Sequence, residues 1–336
     1  MTSAANGNQV REPPASRAKS SALAPREAQG RPPVSVIIPA YNSALSLGAA
    51  IQSVLDQSYS EFEILVIDDG STDDTEAVAR SFGNRVSYFR QENGGAGAAR
   101  NHGIARSQGK YVAFLDSDDV WLPTKLAEQI PMLDRDAEIG LVYTDWAVVP
   151  EQGEPEPSVL SKLPAASGYV FEQLVQCGFI LTSGTVVRRS CLDEIGDFDE
   201  HLSIAQDYDL WLRISYRWKV GLLNKPLVIK KNREGNLSSN LPKTAAERIV
   251  LFQKALSNFP EMPRHTRRLI KVQVAMNYWD LGYLHFENML LPEARKNFAS
   301  SLKYDWTNAR SLSYLAASYM PSKVANVART IKRVLS

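Results

Sequence analysis

The chain lacks any run of apolar residues long enough to cross a membrane. A spanning helix needs about 18 consecutive apolar residues or more, and no window of the sequence approaches that length. The N-terminus also lacks the apolar core that marks a secretory signal. The sequence therefore predicts a cytoplasmic protein without a spanning helix.

An excess of charge of either sign is also missing. The 38 basic and 37 acidic side chains nearly cancel, so no overall positive field exists that would hold a nucleic-acid backbone or an anionic membrane. We expect no nucleic-acid partner, and any other partner must be recognised by a local site. Cysteine is equally scarce, and Cys177 and Cys191 are expected to be reduced structural thiols.

The first 32 residues show no periodic apolar pattern. They are rich in Ala, Ser, Pro, Gln and Arg, and such a stretch cannot bury enough apolar surface to offset the entropy lost on ordering. We predict a disordered tail over residues 1–32. An organellar transit peptide is the alternative, because this stretch holds four arginines against two glutamates.

Short apolar runs then alternate with helical spacings. The strand-like runs lie at 34–38, 64–67, 86–89, 111–115 and 141–144. A helical pattern follows each of the first four runs. Alternation of this kind predicts an α/β fold, with a doubly wound, mostly parallel sheet that carries helices on both faces.

The strand signals stop before Leu241, and helical spacings take over. Apolar residues recur at helical intervals within 249–256, 269–286 and 292–302. We therefore predict an α/β domain over residues 33–240 and an all-α region over residues 241–336.

One part of this helical region has the spacing of a tetratricopeptide-like hairpin. The residues concerned are Leu281-Gly282, Ala294 and Phe298. A single hairpin cannot cap itself, so we expect helices packed on the α/β domain rather than a peptide-binding array.

Glycine-rich phosphate loops are absent from the places where two common nucleotide folds need them. A dehydrogenase requires Gly-x-Gly-x-x-Gly directly after its first strand, but Pro39-Ala40-Tyr41-Asn42 stands there. The stretch from Gly95 to Arg100 imitates the start of that motif, yet it follows the third strand and ends in arginine. A P-loop nucleotidase is excluded because the chain has no Gly-Lys-Ser/Thr.

Carboxylates cluster where two of the predicted strands end. Asp68-Asp69 follows the second strand, and Asp116-Ser117-Asp118-Asp119 follows the fourth. Because ligands of an open α/β sheet bind at the carboxyl ends of its strands, both groups should face one crevice. One carboxylate could bind Mg²⁺ or Mn²⁺, which keep positions open for diphosphate oxygens, and another could bind sugar hydroxyls. For an isolated Asp-x-Asp, a solvated acidic turn is the alternative.

Four motifs follow one another between Val34 and Asp119. They are VSVIIPAYN at Val34–Asn42, IDDGSTD at Ile67–Asp73, Asn93-Gly94-Gly95 with Ala99-Arg100-Asn101, and FLDSDD at Phe114–Asp119. In this order they resemble the family 2 glycosyltransferases, over roughly Pro33 to Asn240. The resemblance implies a GT-A fold and an inverting, metal-dependent transfer of a sugar from a nucleotide-diphosphate donor.

The same resemblance implies which residues border the nucleobase. These are Pro39, Tyr41 and Asp69, with the base stacked near Tyr41 and one of its N–H groups bound by Asp69. The structural alternatives are a proline that ends a strand, a half-exposed aromatic residue and an acid in a turn.

The phosphate and metal side of the donor site is implied in the same way. Arg100 resembles the arginine that faces the phosphates, a role suited to a planar cation with several donors. Asp116 should lie on the ribose or sugar side, and Asp118 should hold Mn²⁺ or Mg²⁺. A metal on the leaving diphosphate neutralises the charge that develops there. Inversion then needs only one base, which takes the proton of the acceptor hydroxyl.

That base is expected in a second acidic segment. The chain has Gly196-Asp197-Phe198-Asp199-Glu200 and then Gln206-Asp207-Tyr208-Asp209-Leu210-Trp211, where the family has Gly-Gly-Phe-Asp-Glu and Glu-Asp-x-x-Leu-Trp. Asp207 matches the base of the family, and a solvated acid at a helix start is the alternative. Asp197 and Gln206 depart from the pattern, and Gln206 removes one negative charge beside Asp207.

Two further segments have weaker parallels in the family. Phe179 to Thr185 resembles the acceptor-facing segment, with the hydroxyls of Thr182 and Ser183 available to a sugar. The polar stretch 232–239 could fold over the donor phosphates as a lid, with Lys231 and Arg233 near the diphosphate. A solvated loop is the alternative for this stretch.

Taken together, these features predict a hexosyltransferase of polysaccharide biosynthesis. The expected donor is a UDP-sugar, and the expected acceptor is a glycan or a lipid-linked glycan at the cytoplasmic face of the cell membrane. Peripheral membrane association is a hypothesis. The alternative is a non-catalytic nucleotide-sugar-binding or scaffold protein that acts through its helical tail. That alternative predicts that the base or the metal-binding acids are missing. The sequence contains the base and these acids.

Overall fold

The computed structural model describes residues 33–150, 154–231 and 240–320. The predicted tail at 1–32 and the predicted lid at 232–239 lie outside these residues. The strands are β1 Val34–Ala40, β2 Phe62–Asp68, β3 Ser87–Arg90, β4 Tyr111–Phe114, β5 Val120–Trp121, β6 Ile139–Val149, β7 Val186–Arg188 and β8 Lys219–Lys231. They form one sheet in the order β3-β2-β1-β4-β7-β6-β8-β5.

The sheet is mostly parallel, as predicted. Parallel pairing joins β1 to β2 and to β4, β2 to β3, and β6 to β8. The short strand β7 is antiparallel to both β4 and β6, and β5 is antiparallel to β8. The run of neighbouring parallel strands is therefore interrupted beside β4, whose carboxyl end carries the Asp116–Asp119 motif.

Helices cover both faces of the sheet. The first seven are α1 Leu47–Leu55, α2 Thr75–Arg80, α3 Gly95–Arg106, α4 Lys125–Arg135, α5 Phe171–Gln176, α6 Arg189–Ile195 and α7 Gln206–Arg217. Successive strand side chains point to opposite faces, so Val36 and Ile38 pack in one core with α1, α2 and α4. Ile37 packs in the other core with α3, α5 and α7.

Four helices follow the last strand. They are α8 Leu241–Asn258, α9 Arg264–Glu287, α10 Leu291–Tyr304 and α11 Ala309–Ala317. Phe252 of α8 and Ile270 of α9 lie in the same hydrophobic core as Trp211 of α7. One hydrophobic core therefore contains residues from both sides of residue 240, where the strand signals stop. No helix among the described residues has the length and apolar character needed to span a bilayer.

The helices α9 and α10 pack closely around one glycine. A methyl group added at Gly282 would lie 2.8 Å from the ring of Phe298. Phe286, Ala294 and Phe298 form a small separate core. The spacing that predicted a tetratricopeptide-like hairpin therefore corresponds to residues in contact, and the hairpin assignment itself remains a prediction.

Candidate active site

Asp68 shapes the turn that follows β2. Its carboxylate is fully buried and accepts hydrogen bonds from the Tyr88 hydroxyl at 2.5 Å and the Ser71 N–H at 2.8 Å. Burial and the hydrogen bond to Asp68 raise the pKa of Tyr88 to about 12. In the same turn, Gly70 has a φ of +81°, a backbone conformation that favours glycine. Asp68 is therefore a structural acid.

Asp69 caps the start of α3. Its carboxylate accepts the backbone N–H groups of Gly94 and Gly95, each at 2.8 Å, and the Gln91 side-chain amide at 2.8 Å. A carboxylate has about four lone-pair sites, so three donors leave room for one more. The predicted contact of Asp69 with a nucleobase N–H remains a prediction.

Tyr41 lies just beyond β1, with 53% of its surface exposed. Such a ring offers a face on which a base can stack. The structural alternative for Pro39 was a proline that ends the strand, but β1 continues to Ala40 and pairs Pro39 with Ile67. Proline is tolerated here because pairing of β1 with β4 ends at Ile37. The Ile37 carbonyl bonds on the β4 side of β1, and the Ala40 carbonyl bonds on the β2 side. The backbone nitrogen of Pro39 therefore points to the β4 side, beyond the last residue that pairs with β4, where no N–H is needed.

Arg100 and Asp116 form an ion pair at the end of β4. Arg100 Nη2 lies 2.6 Å from Asp116 Oδ1, and the arginine side chain is only 6% exposed. The guanidinium carbon lies 5.4 Å from the centre of the Phe198 ring. Arg100 Nε is buried without a hydrogen-bond partner among the described residues. The structure thus joins two predicted donor-site residues and leaves one N–H group unused.

The neighbouring acids concentrate negative charge. Burial, followed by the charge of Asp116, raises the pKa of Asp119 to about 7, and Lys230 opposes that rise. Asp118 lies between these two acids in the chain and is half-buried. Within the described parts of the chain, no three or more His, Cys, Asp or Glu residues form a metal cage. The acids fit a hard cation that takes one or two carboxylates and completes its shell with phosphate oxygens.

A turn at Thr182–Gly184 connects this acidic cluster to Asp207. The Thr182 hydroxyl donates to Asp207 Oδ2 at 2.7 Å, and the Ser183 hydroxyl donates to Asp119 Oδ2 at 2.6 Å. Both side chains are buried. The expectation that these hydroxyls are available to a sugar is therefore not met, since they position the two carboxylates instead.

Asp207 lies in the first turn of α7 and lines a cavity of about 210 Å³. Its second oxygen accepts the N–H of Tyr208 at 2.7 Å. The preceding residue, Gln206, is buried against α3, and a methyl group at Gly97 would lie 2.3 Å from its Oε1. The departure from the family pattern at Gln206 thus lies at a tight contact between α3 and α7.

Two residues of α8 hold the start of α7, and we call them the α8 clamp. Glu247 accepts the backbone N–H groups of residues 203, 204 and 205 at 2.7–3.1 Å. Lys254 forms ion pairs with Asp199 and Asp209. The sequence pattern did not identify this clamp, because the sequence shows only an acidic residue and a lysine on one predicted helix.

Replacing Glu247 by glutamine should lower the free energy of unfolding by about 1–2 kcal/mol at pH 7, because a charged acceptor is lost from a helix start. Burial raises the pKa of Glu247, but its hydrogen bonds outweigh burial and hold the pKa below its usual 4.5. The contribution is therefore fully present above that pH and disappears as the pH falls through the lowered pKa. Denaturant unfolding of both proteins from pH 7 down to pH 3 measures it.

The exposed Glu261 on the connection to α9 provides the matched control. Glu261→Gln should leave stability unchanged at every pH. An equal loss in both variants, or a difference for Glu247→Gln that grows on acidification, would contradict the role of the clamp.

Comparison with known proteins gives a consistent picture. A family model described as Glycosyl transferase family 2 matches residues 35–196. An uncharacterized glycosyltransferase of Rickettsia felis is 37% identical over 188 residues, which are 54% of this chain and 31% of that protein. The chain thus spans about a third of the length of this relative.

A second relative is matched along nearly its whole length. The UDP-Glc:alpha-D-GlcNAc-diphosphoundecaprenol beta-1,3-glucosyltransferase WfgD of Escherichia coli is 30% identical over 254 residues, covering 74% of this chain and 93% of that enzyme. Among solved structures, S. aureus TarS 1-349 in complex with UDP-GlcNAc superposes with a TM-score of 0.63 at 17% identity. The match covers 88% of this chain and 91% of that one.

Proposed function

The chain belongs to glycosyl transferase family 2, and from that premise we propose that it transfers a hexosyl group from a UDP-sugar to a hydroxyl of a glycan or lipid-linked acceptor. The fold is GT-A, as the resemblance predicted. The choice of UDP is supported by the UDP-glucose donor of the Escherichia coli relative and by the UDP-GlcNAc bound in the TarS complex. The same relative acts on a lipid diphosphate sugar, which supports the acceptor class.

One observation carries the proposal. Asp207 is oriented by the Thr182 hydroxyl, and the adjoining Ser183 holds the acidic cluster that ends β4. One short turn thus connects the proposed base to the proposed diphosphate-binding edge. A direct displacement needs both groups near one reacting carbon, and this shared turn supports the assignment.

The donor is held by residues at the ends of β1, β2 and β4. Tyr41 stacks on the base, and Asp69 offers its remaining lone pair to a base N–H. Asp116, fixed by Arg100, binds ribose or sugar hydroxyls, and the resemblance of Arg100 to the arginine of the family assigns it to the phosphate side. Asp118 would hold Mn²⁺ or Mg²⁺, which when bound neutralises the charge on the leaving diphosphate.

The transfer itself is a single inverting displacement. Asp207 accepts the proton of the acceptor hydroxyl as that oxygen forms a bond to the anomeric carbon. The bond from that carbon to the diphosphate oxygen breaks, and UDP leaves with the electron pair. The Thr182 hydroxyl and the Tyr208 N–H each hold one oxygen of this carboxylate, and its remaining lone pairs take the proton of the acceptor.

A thermal-shift screen tests the donor class. Nucleoside diphosphates and nucleotide sugars are each added with Mn²⁺ or with a chelator, because a ligand that binds only the folded state raises its melting temperature. We expect a shift with UDP and UDP-sugars that depends on Mn²⁺, and smaller shifts with GDP and dTDP. A chain that no nucleotide stabilises would favour the scaffold alternative, and a larger shift with GDP would replace the donor assignment.

A further inference from the structure

The cavity beside Asp207 lies between two regions of the chain. Its walls come from α7, from the segment around Ile180 and from α8. At about 210 Å³ it is smaller than the roughly 300–1,000 Å³ of pockets for drug-sized ligands. Its size suits a single ring. Because α8 forms one of its walls, the C-terminal helical region helps to build the space where the proposed base acts.

Two side chains that line this cavity carry unused polar atoms. Trp211 is only 2% exposed, and its indole Nε1 has no hydrogen-bond partner among the described residues. Thr244 Oγ1, on α8, is likewise buried and unpartnered within the described ranges. Buried polar groups are normally paired, and an indole N–H can only donate. Unpaired polar groups in the walls of a cavity favour a polar ligand over an apolar one.

A cation lines the same cavity. Arg248 lies on α8, and its guanidinium carbon is 5.9 Å from the centre of the Tyr208 ring. In the part of the chain that the structure describes, no carboxylate lies within 4.0 Å of it. Nearby acids already have other partners, since Glu247 binds the backbone before α7 and Asp209 binds Lys254 and Arg213.

We propose that this cavity is the acceptor subsite, and that the acceptor carries an oxyanion close to the hydroxyl that receives the sugar. The inference rests on the proposed function, because it takes Asp207 as the base for that hydroxyl. Arg248 binds the oxyanion with two of its five N–H donors, and the Trp211 N–H binds an oxygen of the ring. Apolar neighbours such as Leu174 and Ile180 contact the face of the ring.

An oxyanion of this kind has two chemical sources, a sugar phosphate and a uronic acid. We would titrate the full chain, saturated with UDP and Mn²⁺ to fill the donor crevice, with glucose 1-phosphate, methyl glucuronide and neutral methyl glucoside. At least one anionic probe should bind about 10- to 100-fold more tightly than methyl glucoside, as expected for a charge-assisted hydrogen bond. The tighter anionic probe identifies the source.

Two variants separate the cavity from a general charge effect. Arg248→Gln should remove the anion preference, so that all three probes bind with similar affinity. Lys243→Gln, which removes one exposed charge from the same helix outside the cavity lining, should keep it. Absence of any preference in the unmodified chain, failure of every probe to bind, or a preference that survives Arg248→Gln would each overturn the inference. Loss of UDP binding would instead count against the proposed function, and a separate UDP titration detects it.

Discussion

Asp207→Asn is expected to lower the rate of sugar transfer on the order of 10³-fold, the range attributed to a positioned general base. The amide keeps the shape of the side chain and accepts one of its two hydrogen bonds, but it cannot take a proton. Donor affinity should therefore stay unchanged. Transfer is measured as UDP released in the presence of acceptor, and donor binding is measured by calorimetry with Mn²⁺.

Two matched variants make this test specific. Asp193→Asn introduces the same chemical change at an exposed acid of α6 and should leave transfer unaffected. Thr182→Val keeps the carboxylate of Asp207 and removes the hydroxyl that orients it, so an intermediate loss is expected. Full activity of Asp207→Asn would reject the base assignment, and a parallel fall in donor affinity would show that Asp207 acts on the donor instead.

Asp118→Ala should remove the metal dependence of donor binding. In the unmodified chain, UDP-sugar affinity should fall when a chelator replaces Mn²⁺, whereas the variant should bind equally weakly in both conditions. Transfer should fall at least about 10²-fold, since a metal on the leaving group contributes several kcal/mol in the transition state. Donor titrations with Mn²⁺, with Mg²⁺ and with chelator measure the effect.

Asp193→Ala is the control for this second variant, because it removes an acid distant in the chain from the β4 motif. It should retain the metal dependence in full. A chain whose donor affinity is the same with Mn²⁺ and with chelator before any substitution would exclude the metal role of Asp118. Retained dependence in Asp118→Ala would transfer that role to another acid of the cluster.

Much of the fold could be predicted because strands that are buried along most of their length carry their own signal. The runs at 34–38, 64–67 and 141–144 lie within β1, β2 and β6, since a buried strand needs consecutive apolar residues to fill both cores. The strands β5 and β7 have only two and three residues, which is too few for a period to appear. Their antiparallel direction depends on the return of distant segments and not on local spacing.

The site could be predicted as a set of residues but not as a set of contacts. Asp69 was expected to face a ligand, yet it also caps α3, a contact that depends on where Gly94 returns to β2. Thr182 and Ser183 were assigned to the acceptor because their segment resembles the acceptor-facing segment of the family. In the structure both hydroxyls are buried and donate to carboxylates instead. Their burial follows from the packing of the whole turn.

The α8 clamp also bears on how such a chain can diverge. A recombination event that joined residues 33–240 to a foreign C-terminal region would separate Glu247 from the N–H groups of 203–205 and Lys254 from Asp199. The incoming region would have to supply an equivalent carboxylate and cation, or the helix that carries Asp207 would lose its support. A substitution at the start of α7 should therefore require a compensating substitution in α8, so that the two regions of this protein evolve as one unit.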